Sequence, residues 1–444
     1  MISINGLNTQ LRSASARWVA RQTPQFLLTE LERVNLLGVV VDEAALSAAV
    51  APNAEVSAPN FAPEVDWRNR NGNHVTKVKD QKSCGSCVSF CTVATVESMA
   101  SIEHGQQLDL SEADLHFCSA HGANCGGWWP GNAYNVLKTR GVPDDACFPY
   151  ASAFDGSGKP SCKTSPDRDA RAVKITESTT LVSAVDRKNW LTNVGPCCAV
   201  MYVFNDFFAY GGGVYHHVSG ELAGLHCVEV IGYSEAEKCW ICKNSWGTEW
   251  GDGGFFKIAY GEAGIDNEFV TNNSLKDKFP FWTARGVVLP ASARYAAIWE
   301  KSSGPAWQAR HGMTSAQYQS TFDQLGTQGY RLVQVSGYSV GGQAQYAAIW
   351  EKSSGPAWQA RHGMTSAQYQ STFDQLGAQG YRLVQVSGYS VGGKAQYAAI
   401  WEKSSGPAWQ ARHGMTSAQY QSTFDQLGAQ GYRLVQVSGY SYGL

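Results

Sequence analysis

The feature that most constrains this chain is a repeat in its last third. The block Tyr295-Ala-Ala-Ile-Trp-Glu returns at Tyr346 and Tyr397, a spacing of 51 residues, and the copies differ at few positions, such as Thr327 against Ala378 and Ala429. Units of this size bury their cores against neighbours, so residues 295–345, 346–396 and 397–444 are expected to stack as an array. Each copy predicts a ββαβ unit: a strand over 295–301, a Gly304-Pro305 turn, a strand over 306–311, a helix, and a strand over 330–336. Thr314 and Gln317 stand at capping-box spacing, Tyr318, Phe322 and Leu325 fall on one helix face, and Gly326 reads as the stop. The tryptophan pairs Trp299/Trp307, Trp350/Trp358 and Trp401/Trp409 would suit stacking on a sugar or peptide, and a plainer reading makes them core aromatics of each hairpin. The array is expected to be separable and non-catalytic, a binding or tethering surface for a glycan or cell-surface ligand. Its histidines, His311, His362 and His413, recur identically and cannot be unique catalysts.

Composition narrows what the remaining residues do. With 444 residues the chain exceeds a single core. Lys and Arg number 35 against 37 Asp and Glu, with no basic stripe, so no nucleic-acid partner is expected. No run of 18 apolar residues exists, so no membrane span is expected. All twelve cysteines lie between Cys84 and Cys242, a density that suits an oxidising compartment and predicts a secreted or periplasmic protein. The first residues, Met1 to Gly6, show no basic region leading into an apolar block, so no secretory signal is visible.

Residues 1–60 read as a helical preface. Thr23-Pro24 opens a helix whose stripe is Leu27, Leu28, Leu31 and Val34 and whose stop is Gly38, and a second helix begins at Asp42. The stretch 51–63, rich in Ala, Pro and Asn, reads as an extended, cleavable linker. From Val65 to about Arg140 the pattern is helical, with a long apolar helix over 89–104 and a second over 111–117. After Gly195-Pro196 it turns to strands at 197–203, 226–233, 240–244 and 255–260. The fold class is therefore α+β, a helical half followed by a sheet half, with a cleft between them as the expected site. Residues 271–294, with Pro280 and Pro290, read as a linker to the array.

The chemistry centres on Cys87, delivered by a Gly-Ser turn to the first turn of the long helix. A helix N-terminus favours the thiolate, the nucleophilic form of the side chain. The Cys84-x-x-Cys87 spacing would also suit half of a zinc site, but no second pair lies at finger-like spacing, and Cys239 and Cys242 fall on a strand where positions three apart face opposite ways. A cysteine nucleophile needs a base and a group to orient it. His226 stands at the end of an apolar strand, and Asn244 ends the next one, followed by Ser245-Trp246-Gly247. An amide there could hold the imidazole while an indole covers the bond from water.

Residues 61–270 resemble a papain-family cysteine protease. The carriers are Gln81-Lys-Ser-Cys-Gly-Ser-Cys87, Cys125-Gly-Gly127, Gly195-Pro196, Leu225-His226-Cys227-Val228 and Asn244-Ser-Trp-Gly-Thr-Glu-Trp-Gly-Asp-Gly-Gly254, in the family's order. The resemblance implies a papain-like two-lobed fold, a helical lobe plus an antiparallel β-barrel-like lobe, made as a zymogen that acts on protein or peptide substrates and is inhibited by its own pro-segment, residues 1–60. It assigns Cys87 as nucleophile, His226 as its ion-pair partner and proton donor, Asn244 as the orienting amide, and Gln81 with the Cys87 N–H as the oxyanion hole. Trp246 would shield the Asn–His bond, and the Gly127 backbone would pair with extended substrate. Trp128 or Trp129 would wall the pocket for the substrate's second side chain, with Pro196, Gly224 and Glu268 lining the rest. The family's disulfides imply Cys84–Cys125 and Cys118–Cys162, while a third common bridge is missing, Ala263 standing where its second cysteine would be. Seven cysteines stay unassigned, with Cys227 the candidate for a buried thiol. No metal or other cofactor is called for. Val88 replaces the usual aromatic after the nucleophile, and Leu225 replaces the Asp or Asn common before the histidine. The same thioester chemistry would also serve a peptide ligase or acyl transferase, and an inactive protease fold used for binding is the third reading. The repeats resemble tandem modules appended to bacterial secreted hydrolases.

Overall fold

The computed structural model describes residues 3–50, 59–119, 123–154, 160–266, 279–290, 293–301 and 303–441. The chain forms two compact units, Met1–Pro290 and Ala291–Leu444.

The first unit is built around the helix Cys87–His104. Its residues from Cys87 to Ser101 are all buried, because all but Glu97, which is bonded to Thr76 and Lys79, are apolar or small, and Gly105 ends it in the left-handed conformation with φ 65°. One side meets the helices Glu112–Phe117 and Pro130–Thr139, and the other meets the long strand Leu222–Ser234. That strand is central to a nine-stranded sheet. It pairs antiparallel with Cys197–Phe204, placing Met201 opposite His226 and Val200 opposite Cys227. On its other side it pairs with Cys239–Lys243, which in turn pairs with Phe255–Ala259. The two expected halves are present as two cores. One gathers Phe207, Tyr210, Tyr215, Trp246 and Trp250 in the sheet half, and the other gathers Val93, Met99, Tyr134, Leu137 and Trp282 around the helix. Both disulfides implied by the resemblance are formed, Cys84–Cys125 and Cys118–Cys162. A third, Cys91–Cys198, joins the central helix to the sheet, and Ser98 Oγ donates to buried Glu229 Oε1 at 2.8 Å across the same junction.

Two sequence expectations fail here. The stripe from Leu27 to Val34 is not one helix, since Leu28 is extended and Thr29 caps a separate short helix, Glu30–Val34, in a reciprocal capping box with Glu32. Leu27, Leu31 and Val34 are exposed. A missed helix, Ile4–Ser13, precedes them, and the one foreseen at Asp42 forms as Glu43–Ala49. Residues 51–58 of the foreseen cleavable linker lie outside the described residues. The second failure is the linker at 271–294, of which 271–278 and 291–292 lie outside the described residues. Phe281–Trp282 pairs with Thr180–Leu181 and Cys197–Phe204, and Arg285–Val288 pairs with Lys174–Glu177. Phe279, Phe281, Trp282, Thr283 and Ala284 are buried, with the Arg187 guanidinium over the Phe281 ring at 4.5 Å. Apolar side chains with partners waiting outweigh the two prolines that suggested a linker.

In the second unit the sheets are shared between copies. Trp307–Met313, the helix Ser315–Thr327 and Arg331–Val340 belong to one copy, but the middle strand, Gln343–Glu351, comes from the next. Trp358–Thr365, Arg382–Val391 and Lys394–Glu402 repeat this arrangement. The folded unit therefore reads βαββ and is offset from the ββαβ sequence copy. The Thr314/Gln317 capping box is present, but the helix passes Gly326, and the left-handed residue after it is Gly329, φ 82°. Trp350 and Trp401 are buried in their sheets, and Trp358 and Trp409 lie against Phe322 and Phe373, so the second and third pairs are core aromatics, whereas Trp299 and Trp307 of the first pair are exposed. Neighbouring sheets are also joined by the Tyr346 hydroxyl, 2.7 Å from that of Tyr389. Replacing Tyr346 by Phe is expected to cost about 1 kcal/mol of array stability. Thermal unfolding of the wild-type and variant chains would measure it.

Candidate active site

Gln81 and Cys87 come from one stretch, His226 and Asn244 from two others, and all four are buried. Cys87 is the first residue of the central helix, and the Cys84–Cys125 bridge holds the turn before it. His226 projects from the long strand, and its Nε2 lies 2.7 Å from Asn244 Oδ1, just beyond the end of the neighbouring strand. Asn244 Oδ1 also accepts from the Ser245 N–H at 2.8 Å, which fixes the amide with its oxygen toward the imidazole. The Trp246 ring sits 4.7 Å from the His226 ring and stacks on Phe208, so the bond is covered as expected. The Gln81 amide is also held: Oε1 accepts from Ser245 Oγ at 2.7 Å, leaving Nε2 as the donor facing the cleft.

What occupies that cleft is the chain's own residues 36–40. The Leu36 carbonyl accepts from Gln81 Nε2 at 3.0 Å. Trp128 N–H donates to the Gly38 carbonyl and Val40 N–H to the Trp128 carbonyl, both at 2.9 Å. Gly38 is squeezed against Gly85, and a Cβ at Gly38 would stand 1.9 Å from the Gly85 carbonyl oxygen. Leu37 lies against Gly224, where a Cβ would meet its side chain at 3.0 Å. Gly38 is thus not the helix stop expected from the sequence. The block Leu36-Leu37-Gly38-Val39-Val40-Val41, apolar and β-branched about one glycine, suits an extended strand with a close backbone approach.

This covering sets the charges. Burial raises the Cys87 thiol to about 11, opposed by the backbone N–H groups of Cys227 and Gly38 beside the sulfur, so desolvation outweighs the helix N-terminus that was expected to lower it. Burial likewise lowers His226 to about 4, opposed by the bond to Asn244. With the cleft filled, the pair is a neutral thiol and a neutral imidazole.

The remaining expected positions divide. Backbone pairing in the cleft is made by Trp128 rather than Gly127, whose contribution is space: it has φ 123°, and a Cβ there would be 2.7 Å from the Gly38 carbonyl oxygen. Both Trp128 and Trp129 are buried, Trp129 edge-on to Trp282 at 5.3 Å. Glu268 lies outside the described residues. Cys227 is a free, buried thiol, as foreseen, with its sulfur within 4.8 Å of both sulfurs of the Cys91–Cys198 bridge. The residues that sequence reasoning missed, Ser245 and the crossing segment, act through hydrogen bonds that no local motif announces.

The family model for papain family cysteine proteases matches residues 61–273. This region belongs to the papain family. The repeats match four times, at 285–302, 304–353, 355–404 and 406–443, a structural repeat described as polyglycine hydrolase-like. Similar curated proteins include a cathepsin B-like protein, CP3, of Giardia intestinalis, 28% identical over 284 residues, which span 61% of this chain and 93% of that one. A cathepsin L-like proteinase of Phaedon cochleariae is 32% identical, covering 52% of this chain and 66% of its own length. Among solved structures, procathepsin B S9 of Trypanosoma congolense aligns over 64% of this chain and 97% of its own, with 25% identity and a TM-score of 0.52. The papain-type unit is thus a cysteine protease in the form that carries a pro-segment. Among the described residues no helix is long and apolar enough to cross a membrane.

Proposed function

We propose that this chain is the zymogen of a cysteine endopeptidase, shut by residues 36–40 and acting through Cys87, His226 and Asn244. The observation that carries the reading is the Leu36 carbonyl on Gln81 Nε2, with Gly38 and Val40 hydrogen-bonded along Trp128. A peptide backbone already lies where an extended substrate would lie, with a carbonyl on the oxyanion donor. After the segment leaves, water re-enters and the thiolate–imidazolium pair becomes accessible. The Cys87 sulfur attacks the scissile carbonyl carbon, and the oxyanion is held by Gln81 Nε2 and the Cys87 N–H. His226 gives its proton to the leaving amine, and then, as the base, takes one from the water that hydrolyses the thioester. Asn244, fixed by Ser245, keeps the imidazole aimed throughout. Protein or peptide substrates follow from a cleft that reads backbone through Trp128, and three disulfides suit a secreted or periplasmic setting.

Mapping the site of a thiol-reactive epoxide by mass spectrometry tests the proposal. One adduct on Cys87 is expected after acid treatment, and little before it. Labelling of a different cysteine, or none after acidification, would sink it.

A further inference from the structure

The array carries an unused strand at its first described end and an unfilled slot at its last. In both complete sheets the Tyr-Ala-Ala-Ile-Trp-Glu block of one copy is the middle strand of a sheet begun by the copy before it. The first block, residues 295–300, lies in no strand, with Ile298 92% and Trp299 82% exposed, whereas Trp350 and Trp401 are 1% exposed. The third copy has its helix Ser417–Ala429, but among the described residues no strand lies between 409–415 and 433–441. Leu434 and Val437 are exposed, while their counterparts Leu332 and Val335 are buried.

The two ends correspond atom for atom. Tyr295 already holds the station its block has elsewhere, its hydroxyl 2.7 Å from Tyr338, as Tyr346 is from Tyr389. At the other end, Gly337 and Gly388 are covered by the next copy's ring, a Cβ there falling 2.3 and 2.4 Å from Tyr389 and Tyr440, but Gly439 has nothing within 4 Å. Copies also exchange side-chain bonds. Gln385 donates to the Val335 carbonyl and accepts from its N–H, and Ser387 Oγ accepts from Gly337 N–H. Gln334 and Ser336 are the first copy's equivalents of Gln385 and Ser387, and Val437 and Gly439 are the last copy's equivalents of Val335 and Gly337.

We propose that residues 295–300 of one chain insert as the middle strand between 409–415 and 433–441 of a second copy, head to tail. The register is that of the complete sheets: Trp401 faces Gln359 and Leu383, so Trp299 of the donor faces Gln410 and Leu434 of the acceptor. Main-chain bonds supply the affinity, as in other strand additions, and the buried tryptophan supplies the fit. The contact joins two different surfaces, so it builds rings or filaments rather than a symmetric pair.

Sedimentation of the full chain over a dilution series tests this. The expected result is a mass rising in whole-chain steps with concentration, with tryptophan emission shifting to the blue as Trp299 leaves water. Ile298→Asp and Leu434→Asp should each remain monomeric, and both side chains are exposed in the single chain, so neither burdens its folding. Mixed, the two should form a dimer and stop there, because one keeps only a working slot and the other only a working strand. Peptidase activity after acid treatment, carried by the other unit, checks that each variant is intact. A chain that stays monomeric at every concentration overturns the proposal, whether Trp299 remains exposed or becomes buried by closure within one molecule. Variants that still assemble alone overturn it too.

Discussion

The Cys87→Ala chain is expected to lose peptide hydrolysis by about 10⁶-fold, the scale seen when a hydrolase loses its nucleophile. The substitution removes one sulfur from a buried position and puts the best helix former at the start of the helix, so the fold should survive. Asn244→Ala should lose less, because Cys87 and His226 remain and only the imidazole's aim is lost. Fluorogenic peptide hydrolysis after acid treatment, with circular dichroism of each variant, makes the measurement. The Cys87→Ala precursor should also stay full length on acidification, if cleavage of the pro-segment is its own work. Activity near wild type in this variant would remove Cys87 from the mechanism.

The second large effect concerns opening. In the closed form His226 is held down to about 4 by burial, against an ordinary value of 6.5. Between those values an exposed imidazole not yet paired with the thiolate binds a proton that the closed form does not, so relative to that state the closed form weakens as pH falls from 6.5 toward 4 and weakens no further below that. At about 1.4 kcal/mol per pH unit this amounts to roughly 3 kcal/mol in favour of releasing residues 36–40. Cys87, raised from 9.0 to about 11, works in the opposite direction on the scale: the closed form also weakens as pH rises from 9 toward 11. The precursor should be tightest near neutrality. Gly38→Val should open it there, since its Cβ would fall 1.9 Å from the Gly85 carbonyl oxygen and backbone cannot step aside cheaply. Overpacking of this kind costs about 1–3 kcal/mol, which would raise the activity of the uncut precursor at neutral pH by about 5- to 150-fold. The initial rate, measured before any cleavage appears on a gel, decides it. A silent Gly38→Val precursor would mean that residues 36–40 do not hold the cleft shut.

The catalytic residues were legible because each sits in a short motif whose local structure follows from its own residues: a turn into a helix for Cys87, an apolar strand for His226, which begins at Leu222 rather than at His226 itself, and the step just past a strand for Asn244. Their burial was not, because it comes from residues 36–40, distant in sequence and joined by backbone bonds that any residue type could make. The disulfides divide in the same way. Cys84–Cys125 and Cys118–Cys162 came with the resemblance, while Cys91–Cys198 depends on how the central helix meets the sheet. In the repeats, exact recurrence exposed the period but hid the boundary. A strand pattern at 295–300 is the same whether it pairs with its own copy or the one before, and the sequence cannot distinguish them when every copy is alike.

The strands at 281–288 set where this protein can be cut. They follow the region matched to the family, yet Phe279, Trp282 and Ala284 fill the core around the central helix, Phe281 fills that of the sheet half, and Arg285–Val288 completes a sheet with Lys174–Glu177. A protease trimming the chain at residue 273 would remove a wall of the helical half, not a tail. The smallest sturdy catalytic fragment should therefore run to about Pro290, and enzymes released from the array in nature should carry these residues at their new C-terminus.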